Sequence, residues 1–357
     1  MHISARVTVM LTAVASTAVA STALVATVAP AAASAASATA SSSWRVALKA
    51  GGKGREFTAV TATSARNAWA FGNTATDVAF AYHLSGSAWR KASFPGAVGA
   101  AVSASASSAS NVWAFCNQKV ARYNGTSWSV LRKFGYVDSG LAISATSDWV
   151  FGGATASSRT SSSWHYNGKT WTKIASGSGL TGASALSPGS VWAYGGKDVA
   201  HWNGRAWAKT SVARLLPKNT GISRSFLTGI YAAGARNVYA IGSGGDETVG
   251  GPIVVLHYNG SKWSRVAQKK SPGAPEGVAP DGRGGLWIPQ DEFIQGSMVH
   301  FTHGRLTGAA LPYKPARLFM KGVAHEPGSA VALAVGFIRK NAEFVEPTAA
   351  VIFRYGS

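Results

Sequence analysis

The chain has 357 residues, of which only 13% are charged, with 41 Gly and 13 Trp but a single Cys. That profile excludes a disordered polymer, because aromatic residues are plentiful and evenly spread, and it excludes an internal disulfide framework. The net charge of +20 bears on solubility and partners rather than fold, while the abundant Gly favours an all-β protein over a helical one.

The first forty residues differ from the rest. Val7–Ala29 carries no charge, Arg6 precedes it, and small-residue sites follow at Ala36-Ser37-Ala38 and Ala38-Thr39-Ala40. This pattern predicts a secretory signal peptide over residues 1–40 and a mature domain over 41–357. The rival reading is a retained membrane anchor, since 23 uncharged residues are long enough to span a bilayer. Nothing later in the sequence has that length and hydropathy, so no transmembrane segment is expected after cleavage.

From residue 41 onward the chain repeats itself. A small-residue run and a short turn lead into aromatic-Ala-aromatic-Gly or a variant of it. The copies are Asn67–Gly72, Asn111–Cys116, Asp148–Gly152, Ser190–Gly195, Asn237–Gly242, Gly285–Pro289 and Ala332–Gly336, seven in all. Each copy reads as four strands. Strand A is small and apolar, strand B carries the Trp, strand C ends on an aromatic residue and Asn-Gly, and strand D opens on Trp. The pairs Asn124-Gly125, Asn167-Gly168, Asn203-Gly204 and Asn259-Gly260 suit tight hairpin turns between strands C and D, with positive φ at both residues. The spacing places Trp on strand B (69, 113, 149, 192, 287), at the start of strand D (44, 89, 128, 171, 207, 263) and on strand C (164, 202). Such periodic Trp residues are packing residues between neighbouring sheets.

Seven four-stranded sheets predict a seven-bladed β-propeller. The last copy stops after strand C, at Tyr355, and the segment Ser43–Lys49 has the form of a strand D with no strands before it. The N-terminal strand therefore completes the C-terminal blade and leaves no open sheet edge.

"SSASNVWAFC", "SPGSVWAYGG" and "HWNGRAW" give the chain after residue 40 a resemblance to the secreted β-propeller proteins of actinobacteria, within the wider kelch and galactose-oxidase-like group. The resemblance implies an exported, closed propeller. It implies little about activity, because this fold carries enzymes, sensors and adhesins alike.

Most residues capable of chemistry fall on repeated positions. His83, His165, His201, His257 and His300 share one place on strand C, where Arg122 stands in its own copy. A position repeated around a ring cannot converge on one site, so these residues read as scaffold. His303 stands in a C–D turn and His325 in an A–B turn. Cys116 replaces the Gly ending strand B and reads as a buried, inert thiol. No zinc-ligand spacing and no sialidase Asp-box is present.

The carboxylates are distributed differently. In a four-stranded meander the B–C loops and D–A connections emerge on one face, and most Asp and Glu fall there. The longest B–C loops, Ser243–Pro252, Pro289–Ser297 and Ile338–Thr348, belong to three consecutive copies. They supply Asp246, Glu247, Asp291, Glu292, Glu343 and Glu346, and Arg224 lies on the connection before the fifth copy. This set is the candidate ligand site, for a sugar or a cationic group, with Ca²⁺ as the one ion such carboxylates would hold; no other cofactor is expected. Arg90, Lys91, Arg132 and Lys133 on strand D form a candidate basic rim. Edge lysines block sheet-to-sheet aggregation, and they also attract anionic polymers in a salt-dependent way.

The expected function is that of an exported, monomeric, non-catalytic binding protein for an extracellular glycan or an anionic cell-envelope polymer. The alternative is a glycoside hydrolase or polysaccharide lyase using carboxylates of the last three copies. Sequence-specific nucleic-acid binding is not expected, since no recognition motif is present.

Overall fold

The computed structural model describes residues 43–152, 162–176, 179–218, 224–244, 251–271, 273–292, 296–313, 317–340 and 346–356. They form seven antiparallel sheets. Blade 1 runs through Glu56–Ser64, Asn67–Asn73, Ala79–Ser85 and Ala88–Ala92, blade 2 through Ala101–Ser108, Asn111–Cys116, Lys119–Tyr123 and Trp128–Lys133. Blade 3 comprises Ser139–Ser144, Ser147–Gly152, Ser162–Tyr166 and Trp171–Ala175, and blade 4 Gly182–Ser187, Ser190–Gly195, Asp198–Trp202 and Trp207–Ser211. Blade 5 comprises Phe226–Gly234, Asn237–Ser243, Ile253–Tyr258 and Trp263–Lys269. In blade 6 the inner strand is broken into Gly273–Pro275 and Ala279–Pro280, followed by Leu286–Glu292, Ser297–Thr302 and Arg305–Ala309. Blade 7 takes Arg317–His325, Ala332–Arg339 and Ala349–Tyr355 from one end of the described residues and Trp44–Gly51 from the other.

That closing strand pairs Trp44 with Tyr355 and Gly51 with Ala349. Its Trp44 is buried against Trp287 of blade 6, ring centroids 5.1 Å apart. Trp128, Trp171, Trp207 and Trp263 make the same approach to the strand-B Trp of the preceding blade, at 5.2 to 6.0 Å. The apolar core is correspondingly divided into seven clusters, one between each pair of neighbouring sheets. Twin aromatic rows on strand B bury the large side chains there, and near-perpendicular ring pairs are the favoured geometry.

Strand A is small because the seven inner strands converge. Its hydroxyls also cross-link them. Thr58 donates to the Ala101 carbonyl (2.8 Å), Ser139 to that of Thr181 (2.7 Å), and Ser105 and Ser184 accept from the Ala142 and Ala232 amides (3.0 and 3.1 Å). Backbone groups at the inner edge, which no further strand can pair, are thereby satisfied. The Gly ending strand B has its own reason: a Cβ on Gly195 would lie 1.7 Å from the Gly179 carbonyl oxygen, and one on Gly336 1.8 Å from that of Phe319.

Two expectations are corrected. The Asn-Gly turns are four-residue loops, because Tyr123 pairs directly with Trp128 and Tyr166 with Trp171. Only the glycines have positive φ; the Asn side chain instead accepts from the two amides that follow the Gly, as Asn124 does from Thr126 and Ser127 (2.9 Å each), which is an Asx-type closure. In blade 6, strand B runs on to Glu292, so Asp291 and Glu292 lie on a strand rather than in a loop. The detached piece Gly273–Pro275 extends the ladder there, pairing Ala274 with Asp291.

Candidate functional site

The repeated polar position on strand C is structural. Each His lies opposite the strand-B aromatic: Trp69 with His83, Trp149 with His165, Trp192 with His201, Tyr239 with His257 and Trp287 with His300. Ring centroids are 4.1 to 4.8 Å apart. The imidazole Nε2 then meets a polar side chain two residues before the aromatic: Asn67, Ser147, Ser190 or Asn237. Blade 6 has Gly285 at that place, and Asp281 of the preceding turn reaches His300 instead, at 2.8 Å. Burial raises the Asp281 carboxyl, but His300 and the Arg283 and Gly285 amides more than offset this and hold it below its usual range. Burial lowers His83, His165, His201 and His257, so these rings are neutral at pH 7. Cys116 is fully buried and its thiol is pushed up to about 12 by burial, which leaves no thiolate for chemistry.

The inner strands of the blades line a central cavity of about 500 Å³. Its wall is mostly Ala, Gly, Ser and Thr, with Asp138, Tyr194, Glu276 and Lys321 as the polar exceptions of consequence. Lys321 forms an ion pair with Asp291 and lies 3.7 Å from Glu276. Burial alone would lower its ammonium, yet Glu276 and Asp291 hold it above its usual range. Glu56, at the head of the blade 1 inner strand, is shifted the other way: burial raises it despite Lys321 and Arg339. Glu276 and Lys321 in the cavity wall thus belong to a charge cluster drawn from blades 1, 6 and 7.

The structure distributes the sequence-predicted acidic set unevenly. Asp246, Glu247 and Glu343 lie outside the described residues, and of Glu292 only the backbone is described. Asp291 belongs to the Lys321 cluster. Glu346 makes a solvent-exposed ion pair with Lys53 at 3.3 Å, of a kind that contributes little stability. Arg224 is exposed. The described members, Asp291 and Glu346, are therefore held by different lysines. Among the described residues no three His, Cys, Asp or Glu side chains are placed to share a metal ion. Glu276 belongs to the carboxylate-rich face read from the sequence but lies outside its candidate set, and Lys321, the one Lys on the described inner strands, is a signal legible in the sequence that the motifs do not mark.

On the rim, Arg90, Lys91 and Lys133 are exposed. Arg132 is different: its guanidinium stacks on Trp164 of the next blade, 4.3 Å from the ring centroid, and lies 5.3 Å from Phe134. A second cavity of about 480 Å³ opens between blades 1 and 2, walled by Trp69, His83, Phe94, Tyr123 and Trp128.

No family model and no curated protein matches this chain. Solved structures do match. YCF48 bound to D1 peptide superposes with a TM-score of 0.58 at 13% identity, over 87% of this chain and 96% of that one. The WD40 β-propeller domain of Doa1 gives 0.61 at 8% identity, over 87% and 96%. The extracellular domain of a one component system from B. thetaiotaomicron gives 0.57 at 9% identity, over 85% of this chain and 40% of that one. Among the described residues no helix is long and apolar enough to cross a membrane. At such identities the likeness is one of architecture alone, and the chain is a seven-bladed β-propeller closed by its N-terminal strand.

Proposed function

We propose that this propeller is an exported, non-catalytic binding protein whose ligand is an anionic glycan or cell-envelope polymer, held against the outer strands. The observation that carries this reading is the segregation of charge. Arg45, Arg90, Lys91, Lys133, Arg205, Lys262 and Arg265 lie exposed on outer strands or the turns leading into them. Among the described residues, the ion-paired carboxylates Asp198, Glu276, Asp291, Glu326 and Glu346 already have cationic partners of their own. A positive perimeter on a protein of net charge +20 attracts polyanions over a Debye length. A propeller of the same fold is known in complex with a peptide, which supports interaction as the task of such a scaffold. The enzymatic alternative is less favoured, because Glu276 and Asp291 are engaged by Lys321.

Exchange of Lys91, Lys133, Arg205 and Lys262 for Gln tests the reading. Affinity for dextran sulfate or polyphosphate is expected to fall about tenfold at low ionic strength, with unchanged melting temperature, and wild-type binding is expected to vanish near 1 M salt, where the Debye length is about 3 Å. Binding indifferent to both changes would refute it.

A further inference from the structure

The cleft between blades 1 and 2 departs from the repeat. Register identifies one position on every outer strand, opposite the strand-C residue that pairs with the second strand-B aromatic. It is Arg132 in blade 2, Ile174 in blade 3 and Leu48 in blade 7. Arg132 fills the blade 2–3 interface by stacking on Trp164, and Ile174 packs into the blade 3–4 core. Blade 1 has Ala92 there, opposite Ala81, and Ala92 lines the cleft. Blades 5 and 6 are also small at this position, with Ala267 and Ala309, so a small residue permits a cleft without defining one.

The walls define it. Phe94 and Trp128 meet edge to face at 4.9 Å, and Tyr123 leans on Trp128 at 5.4 Å. All three rings are half-buried and border the opening. The lip carries Ser93, Thr126 and Ser127, all exposed. The amides of Thr126 and Ser127 are taken by Asn124. Among the described residues no carboxylate lines the cleft. Arg90 is the cross-strand partner of His83, which does line it. Directly paired residues project on the same face of a sheet, so Arg90 stands on the cleft side of blade 1, exposed and without a carboxylate partner among the described residues.

Aromatic faces for apolar C–H surfaces, hydroxyls at the lip and one cation at the edge are together the complement of an acidic sugar. We infer that the blade 1–2 cleft binds a hexuronate unit of an acidic polysaccharide, its ring against Phe94 and Trp128 and its carboxylate on Arg90. This rests on the anionic-glycan reading above and locates a specific subsite within it. The cleft volume is in the range of small-ligand sites, and a carboxylate–guanidinium contact is among the stronger hydrogen bonds available.

The test uses tetragalacturonate and its methyl ester, which keeps the ring and removes the charge, with binding followed by calorimetry on the whole protein. Ala92→Ile, which installs the blade 3 residue, is expected to weaken both ligands at least about tenfold without lowering the melting temperature. Ser93→Trp blocks the exposed lip and is expected to do the same should Ala92→Ile disturb folding. Arg90→Gln is expected to weaken the acid about tenfold, the equivalent of one charge-assisted hydrogen bond, and to leave the ester unchanged. The inference is overturned if the wild type binds no tetragalacturonate, if both blocking variants bind as wild type does, or if Arg90→Gln leaves the acid unaffected. Salt-sensitive binding of dextran sulfate that survives any of these outcomes would leave the rim reading standing and remove only the cleft.

Discussion

Blades 2 and 7 both carry an arginine where the other five blades carry histidine, and they accommodate it in opposite ways. In blade 2, Arg122 donates to Asn111 Oδ1 at 2.7 Å, which also accepts from Trp113 Nε1 at 3.0 Å. Asn111 in turn donates to the Ser144 carbonyl and approaches Asp148 across the interface with blade 3, at 3.0 and 3.5 Å. In blade 7, Arg354 makes a two-pronged ion pair with Glu326 at 2.6 and 3.0 Å, and Glu326 is fully buried. A histidine can be neutral, so any small polar side chain suffices beside it. An arginine cannot, so the fold must bring an acceptor. Blade 7 places a full carboxylate in its own turn. Blade 2 offers an amide and spreads the charge to a carboxylate on its neighbour. The consequence is visible in Asp148, which has no exposed surface, an Oδ2 without a hydrogen-bond partner, and a carboxyl pushed up to about 7 by burial despite Asn111 and Arg122.

Blade 7 differs most from blade 2 in its closure, since it alone is assembled from two segments far apart in the sequence. Removal of Trp44–Gly51 strips the partner of Ala349–Tyr355 and exposes Trp287. Loss of soluble monomer is expected, read by size-exclusion chromatography, whereas a truncated protein with an unchanged melting curve would contradict the shared blade. Next in size is Arg354→Met, which strands a fully buried Glu326. A loss of about 3–5 kcal/mol is expected in denaturant titrations. Burial already raises the Glu326 carboxyl even with Arg354 and Arg45 beside it, so the double variant with Glu326→Gln should be less destabilised than Arg354→Met alone.

Asp148 yields the smallest effect and the sharpest contrast. Its carboxyl moves from 3.8 to about 7 on folding, so between those values the folded protein holds a proton that the unfolded chain releases. Stability contributed below pH 3.8 is therefore lost as pH rises toward 7. The loss is at most about 4 kcal/mol, three units at 1.36 kcal/mol each. The lowered histidines produce the opposite slope, destabilising the fold as pH falls below 6.5. Subtracting the pH profile of Asp148→Asn from that of the wild type isolates the carboxylate. The difference should grow from pH 4 to pH 8, and a flat difference would mean Asp148 is ionised throughout.

Periodicity in the amino-acid sequence by itself determined the architecture: seven strand-B motifs, the Trp near the start of six of the seven outer strands, and the split last blade that requires ring closure at Trp44. These features are legible because packing in a propeller is nearest-neighbour, so each copy must carry its own share of the same interface. The scaffold role of the strand-C histidines was legible for the same reason. Only the tertiary structure decided the departures from the repeat. Lys321 meets Asp291 and Glu276 because an inner strand of blade 7 passes a broken inner strand of blade 6. The Asp148 carboxyl is raised because the interface between blades 2 and 3 buries it, an effect that Asn111 and Arg122 only partly offset. Arg132 is withdrawn from the rim by Trp164, and Ala92 leaves room for a cleft that Trp128 walls from the next blade, both across an interface between neighbouring blades. Charge and cavity are properties of what lies across an interface, and strand periodicity specifies which face a residue presents without specifying what it meets there.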